Sequence, residues 1–307
     1  MIGRRLIPAL AAFATPATAA GQSLDMVPRT LVMTAFQPEW QALEPAVEQP
    51  VRHQVNGLTF ITGMLAGKPV VLMQSGVSMV NAAMNTQLAL DRFTVRRIVF
   101  SGIAGGVDPA LTIGDVIVPE QWGQYLEVAF ARTGKRGWLP PEPHDAAAPA
   151  HWQMMFPRGV RIGNAHEPAA RHYLLPADPA LLALARQVTT GIALRKCAPA
   201  ESGKPPACLD KAPQVVVGGV GVSAGVFADN AEFRRYLQSA WHARVLDMES
   251  AAVIQVAYAN QVPAIVFRSL SDLAGGDRHE NQAHTFMALA SVNSADVVRR
   301  FVSSLPD

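Results

Sequence analysis

The chain has almost no net charge: 26 Lys and Arg stand against 24 Asp and Glu in 307 residues, giving +2 with histidine neutral. It therefore lacks the basic stripe that a nucleic-acid binder needs, which makes a nucleic acid polymer a poor ligand. Cysteine is nearly absent as well. Two cysteines are too few for a metal site of their own, and no histidine lies near them. No run beyond the N-terminus is long and apolar enough to span a bilayer, so no membrane association is expected once a leader is removed. There is no internal repeat and no convincing linker. Half of the residues are hydrophobic, enough for a sizeable core and against global disorder. One α/β domain over residues 21–307 is the simplest organisation.

The first 20 residues stand apart. Arg4 and Arg5 follow the initiator, Leu6 to Ala14 is apolar, and Ala17, Ala19 and Ala20 supply small residues for cleavage. That is a secretory layout, and Pro8 and Pro16 argue against the alternative of a buried helix. An exported protein, periplasmic or secreted, is expected. Cys197 and Cys208 agree with export, because they bracket a polar, Pro-rich loop that a disulfide would close. Free thiols or a metal pair are the alternatives.

Elsewhere, strands alternate with helices. Thr30–Phe36, Arg97–Ser101, Asp115–Val118, Gln214–Val220, Arg244–Asp247 and Ala264–Leu270 read as strands. Thr59–Thr62 and Pro69–Met73 flank a turn at Ala66-Gly67-Lys68. Met79–Phe93 has Val80, Met84 and Leu88 at helical spacing. Helices are also expected at Pro179–Val188, Asn230–Trp241 and Ser250–Asn260, with a long one at Gln282–Leu305 broken once. The stretch 132–176 reads as irregular and too long for an ordinary connection, hence an insertion, lid or subdomain. The pattern indicates a three-layer α/β sandwich with a central mixed sheet flanked by helices.

Ligands in such folds sit beyond the carboxyl ends of the strands. Glu39 follows the first strand, Gly102–Gly106 the Val99 strand, Met248 and Glu249 the Val245 strand, and Ser271 and Asp272 the last one. Each has a bland alternative: a solvated turn for Glu39, a tight turn for the glycines, a helix-dipole carboxylate for Glu249, a turn cap for Asp272. Their shared placement favours a site. Arg268, inside the apolar run Ile265-Val-Phe-Arg268, needs a carboxylate or a ligand as partner.

These segments resemble the nucleoside phosphorylase/nucleosidase superfamily. The resemblance rests on Ser101-Gly-Ile-Ala-Gly-Gly106 with its following strand, Leu246-Asp-Met-Glu-Ser-Ala-Ala252, and Val266-Phe-Arg-Ser-Leu-Ser-Asp272. In the first turn, Phe36-Gln-Pro-Glu39 sits where the 5′-methylthioadenosine/S-adenosylhomocysteine nucleosidases carry an acidic run. The resemblance implies the nucleoside phosphorylase-like fold, no cofactor, and a homodimer. It also implies roles. Asp272 protonates the purine at N7 and Glu39 activates water. Glu249 holds ribose hydroxyls with Met248 against the sugar. Arg268 organises the carboxylate cluster or the ribose, and Ser271 joins the substrate-binding residues. Ala104 and Gly105 bring backbone close to base and sugar, and Phe227 stacks on the base.

The residue types suit cleavage of an N-glycosidic bond, which builds positive charge on the sugar and negative charge on the base. An ordinary Asp, with a pKa of about 3.9, is protonated only about one time in a thousand at pH 7, so Asp272 must be desolvated or crowded to serve as an acid. Hydrolysis is favoured over phosphorolysis. The first turn offers Gln37, Pro38, Glu39 and Trp40 with no Arg, and Arg97 lies too early to serve the glycine turn. Two positions depart from the pattern: Ile103 where relatives often carry Ser or Thr, and Asp247 where they carry Glu. A non-catalytic binding or storage protein, as in the similar plant bark and vegetative storage proteins, is the competing class. Retention of Glu39, Glu249 and Asp272 together argues against it. His144, His151, His166 and His172 in the insertion match no trusted metal-ligand spacing.

Overall fold

The computed structural model describes residues 23–135, 137–143, 145–198 and 206–306. The expected leader at 1–20, His144 and the tip of the cysteine loop lie outside these residues. In the first half β1 (Asp25–Thr34) leads through α1 (Gln37–Leu43) to a meander of β2 (Val47–Val55), β3 (Leu58–Leu65) and β4 (Lys68–Gln74). Then come α2 (Met79–Arg92), the long β5 (Phe93–Gly106), β6 (Val116–Val118) and β7 (Gln121–Gln124). Short strands follow: β8 (Val128–Phe130), β9 (Arg132–Gly134), β10 (Gly137–Leu139), β11 (Met155–Pro157), β12 (Val160–Ile162), β13 (Ala170–His172) and β14 (Leu175–Pro176). The last third holds α3 (Pro179–Val188), β15 (Val215–Val217), β16 (Val220–Ser223), α4 (Ala231–Trp241), β17 (Ala243–Asp247), α5 (Ser250–Asn260), β18 (Ala264–Asp272) and α6 (Ala283–Ser303).

One mixed sheet runs β14-β7-β16-β17-β5-β1-β4-β3-β2, with β18 pairing both β5 and β6. Period-2 alternation sends the central strands into two separate cores. Leu31, Met33, Phe100 and Val266 face α2 and α5, where Ala82, Ala89, Ala252 and Val253 meet them. Val32, Val99, Ile265 and Phe267 face the other way, against Trp40 and Leu43 of α1 and Val298 and Phe301 of α6. Phe267 and Phe301 pack with ring centroids 5.0 Å apart and planes tilted by 54°. Each such fully buried side chain contributes on the order of 2 kcal/mol. A third core gathers Tyr125, Phe233, Leu237 and Trp241 around α4. Helices on both faces of one mixed sheet give the expected three layers.

Four differences from the sequence reading have local causes. The strand expected at Gln214–Val220 is two strands, because Gly218 and Gly219 take φ of +119° and +83° and break the extended run. This carries the chain from β6, which pairs β15, to β7 and β17, which flank β16. The stretch 132–176 is less irregular than expected: β8 pairs β11, β9 pairs β10, and β12 pairs β13, all antiparallel. α6 is continuous rather than broken. On α2 the start of the apolar stripe faces outward, with Val80 74% and Met84 58% exposed, while Leu88 packs half-buried against the core and Ala82, Asn85, Thr86 and Ala89 are buried. Cys197 and Cys208 are disulfide-bonded.

Candidate active site

β1, β5 and β18 are parallel neighbours, so their carboxyl ends meet at one level. β17 arrives from the opposite direction, pairing antiparallel with the last residues of β5, Val245 with Gly106 and Leu246 with Gly105. The residues just beyond β17 therefore face the glycine turn. A cavity of about 200 Å³ lies where these ends converge. Glu39, Ala104, Gly105, Phe227, Met248, Glu249, Ser271 and Asp272 all line it, together with Ile103. Arg268 does not reach the lining and lies behind it, fully buried.

Glu39 is not a solvated turn residue. It is 2% exposed, in the first turn of α1, and its carboxylate accepts from the Ala35 N–H at 2.6 Å and the Ile103 N–H at 2.8 Å. Burial pushes its pKa up, against the pull of Arg268 and these amides. Glu249 precedes α5 without capping it; its Oε1 accepts from the Ser78 N–H at 2.9 Å, across from the start of α2. Burial, then the neighbouring Asp247, push its pKa up to about 7, with Arg268 opposing.

Arg268 organises this end. Its Nε donates to Asp247 Oδ2 at 2.7 Å and to Ser250 Oγ at 3.0 Å, and Nη2 donates to Ser250 Oγ at 2.8 Å. Glu249 lies 3.6 Å and Glu39 3.8 Å from the guanidinium, and the Phe100 ring packs 4.1 Å beneath it. Burial would lower its pKa, but three carboxylates overcome that and hold it above the usual arginine value. Gly102 makes room: a Cβ there would fall 1.6 Å from Nη1 and 2.6 Å from Glu39 Oε1.

The Asp272 end differs. Asp272 is 4% exposed, and no cation pairs with it among the described residues. Its Oδ1 accepts from the Ala274 N–H at 2.9 Å, the turn-capping bond that the bland reading expects, while Oδ2 takes the Ser271 hydroxyl at 2.8 Å. Burial pushes its pKa up, in the direction an acid requires, with the Asp277 charge adding to it. Phe227 lines the mouth with 61% of its surface exposed.

Asp247 stands where relatives carry Glu. In the structure it serves Arg268, and it also takes the Ser223 and Ser250 hydroxyls and the Glu249 and Ser250 N–H groups. Ser78, Ser223 and Ser250 were missed. The signal was faint: Ser223 ends a strand beside Asp247, and Ser250 opens the helix after it. The cavity lining has no Lys, Arg or His among the described residues. Arg97 lies elsewhere, donating to the Pro306 carbonyl at 2.9 Å.

The family model described as the phosphorylase superfamily matches residues 29–303. A 5′-methylthioadenosine/S-adenosylhomocysteine nucleosidase of Bacillus thuringiensis (strain Al Hakam) is 27% identical over 277 residues, 90% of this chain and 99% of that protein. Among solved structures, futalosine hydrolase of Helicobacter pylori strain 26695 has a TM-score of 0.64 at 21% identity, covering 91% of this chain and 99% of that one. The Neisseria meningitidis 5′-methylthioadenosine/S-adenosylhomocysteine nucleosidase in complex with methylthio-immucillin-A has a TM-score of 0.66, also at 21% identity, over 91% and 100%. At such identity these structures support the fold.

Proposed function

Because the chain belongs to the phosphorylase superfamily, we propose that within it the protein hydrolyses the N-glycosidic bond of purine nucleosides or 5′-thio-nucleosides, releasing free base and a ribose derivative. The observation that carries this is the cavity itself: four buried carboxylates, Glu39, Asp247, Glu249 and Asp272, line it, and no cation is in the lining among the described residues. Phosphate entering there would meet carboxylates, and the nearby guanidinium is already engaged by Asp247, Ser250, Glu249 and Glu39. Water meets no such repulsion.

In this reading Glu249 holds the ribose hydroxyls and Met248 packs against the sugar. Glu39, fixed by two backbone N–H groups, takes a proton from the attacking water. The carboxylates around Arg268 face the sugar as it becomes cationic. Asp272, whose pKa burial raises, gives its proton to the leaving purine at N7, with Phe227 over the base. Phe36, Val77, Ile103 and Met287 supply apolar wall that suits an uncharged 5′ substituent. The names of the similar nucleosidases point to the same substrate class. No cofactor enters these steps. The test is release of free purine from adenosine, inosine and 5′-methylthioadenosine, with and without inorganic phosphate. Release independent of phosphate is expected. Release that requires phosphate makes the protein a phosphorylase, and bound nucleoside without release makes it a binding protein.

Two further parts of the proposal concern the setting. The basic-apolar segment at 1–20 and the bonded Cys197–Cys208 pair support export; cell fractionation tests it. Val77, Val80 and Met84, exposed at and just beyond the start of α2 beside the cavity, support a homodimer through this face. A monomer by light scattering at micromolar concentration would refute it.

A further inference from the structure

The segment Leu273–Gln282, between β18 and α6, contains a residue that none of the steps above uses. Asn281 donates from one amide nitrogen to two carboxylates, Asp229 Oδ1 at 3.0 Å and Asp272 Oδ1 at 3.4 Å. Its own oxygen accepts from the Ala283 N–H at 2.9 Å, at the start of α6. Asp229 lies two residues beyond Phe227, at the cavity mouth. The segment is seated firmly there: a Cβ on Gly275 would fall 2.5 Å from Asn230 N, and Asp277 Oδ2 accepts from the Leu273 N–H at 3.1 Å.

The two oxygens of Asp272 consequently have unlike surroundings. Oδ1 faces the Ala274 N–H and the Asn281 amide, donors that cannot accept a proton in return. Oδ2 faces the Ser271 hydroxyl, which can donate or accept and has the Ala104 carbonyl at 3.4 Å as a second acceptor. A proton on Oδ1 would collide with two N–H hydrogens; a proton on Oδ2 only turns the Ser271 hydroxyl toward Ala104.

We propose that Asn281 is a positioning residue for the base-end acid: it ties Asp272 to the Asp229 segment and fixes Oδ1 as an acceptor, so that Oδ2 carries the proton given to the leaving base. The inference rests on the nucleosidase reading. In the step, the Oδ2–H bond breaks as the proton bonds to the purine nitrogen, and the electron pair of the C–N bond leaves with the base. The Ser271 hydroxyl then turns back to the ionised Oδ2, and solvent restores the proton after release.

The experiment compares Asn281→Asp and Asn281→Ala with the wild-type chain, measuring kcat, KM and melting temperature on the purine nucleoside that the wild-type protein cleaves best. Asn281→Asp keeps the acceptor for the Ala283 N–H, so α6 still starts normally, but it sets a carboxylate against Asp229 and Asp272. A loss of one hydrogen bond to a charged group predicts that kcat falls roughly 10- to 100-fold in both variants, with KM within about threefold of wild type. Asn281→Asp should be the worse of the two, and its melting temperature should stay near the wild-type value. A wild-type kcat in Asn281→Asp would mean that the residue only starts the helix, and would overturn the inference. So would losses in both variants that follow the melting temperature or appear in KM alone. If the wild-type protein cleaves no nucleoside, the nucleosidase reading falls first and this one with it.

Discussion

The two ends of the cavity, proposed for sugar and for base, use the same residue type in opposite ways. Around Arg268, the carboxylates of Glu39, Asp247 and Glu249 crowd one buried cation. At the other end Asp272 has no cation among the described residues, only a hydroxyl, an amide N–H and the Asn281 side chain. The first arrangement keeps negative charge where a cationic sugar would form. The second favours a neutral carboxyl where a proton must be given. What differs is the partner set and not the acid: three acids outnumber their cation at one end, while one acid stands without any at the other.

Substitutions at the two ends should therefore differ in sign. Arg268→Met strands three buried carboxylates and should cost about 3–5 kcal/mol of folding stability, read as a lower denaturant midpoint, and base release should vanish with it. Asp272→Asn should leave stability unchanged or slightly raised at neutral pH, because it removes a buried carboxylate that has no cation. Its kcat should fall about a thousandfold, or ~4 kcal/mol of barrier, on purine nucleosides. A large stability loss in Asp272→Asn, or none in Arg268→Met, would erase the distinction. Gly102→Ala attacks the sugar end by volume alone: a methyl overlapping the guanidinium should cost about 1–3 kcal/mol and lower kcat without altering Asp272.

The architecture was legible because the central strands alternate cleanly between two cores, and because Arg268 stands out in the apolar run Ile265-Val-Phe. The strand ends were legible for the same reason, so Glu39, Glu249 and Asp272 could be placed together. The division of partners was not. Asp247 and Glu249 are two residues apart, and nothing in their spacing says which one meets Arg268; that follows from β17 arriving antiparallel to the end of β5. The Ser78 N–H that holds Glu249 is a backbone group, 171 positions away in sequence. Spacing on α2 located a helix but not its buried face, because that face is built from Ala82, Asn85, Thr86 and Ala89, which carry little hydropathy.

The smallest expected effect concerns protons on Glu249. Burial and Asp247 push this group up to about 7 from an ordinary glutamate value of 4.5. A raised carboxylate binds its proton more tightly in the folded chain than in the unfolded one. Its contribution to stability is thus fully present below about 4.5 and is lost as pH rises through about 7. Wild-type stability should fall between pH 5 and 8, by on the order of 2 kcal/mol from this residue once coupling to Asp247 and Glu39 is allowed for. Glu249→Gln cannot ionise and should flatten that slope while weakening ribose binding, seen as a higher KM. Asp272→Asn should flatten it too, but without the change in KM, because the Asp272 pKa is also raised by burial and the residue does not touch the sugar. Equal slopes in wild type and Glu249→Gln would show that Glu249 stays ionised across this range, and the two ends would then differ in protonation as well as in partners.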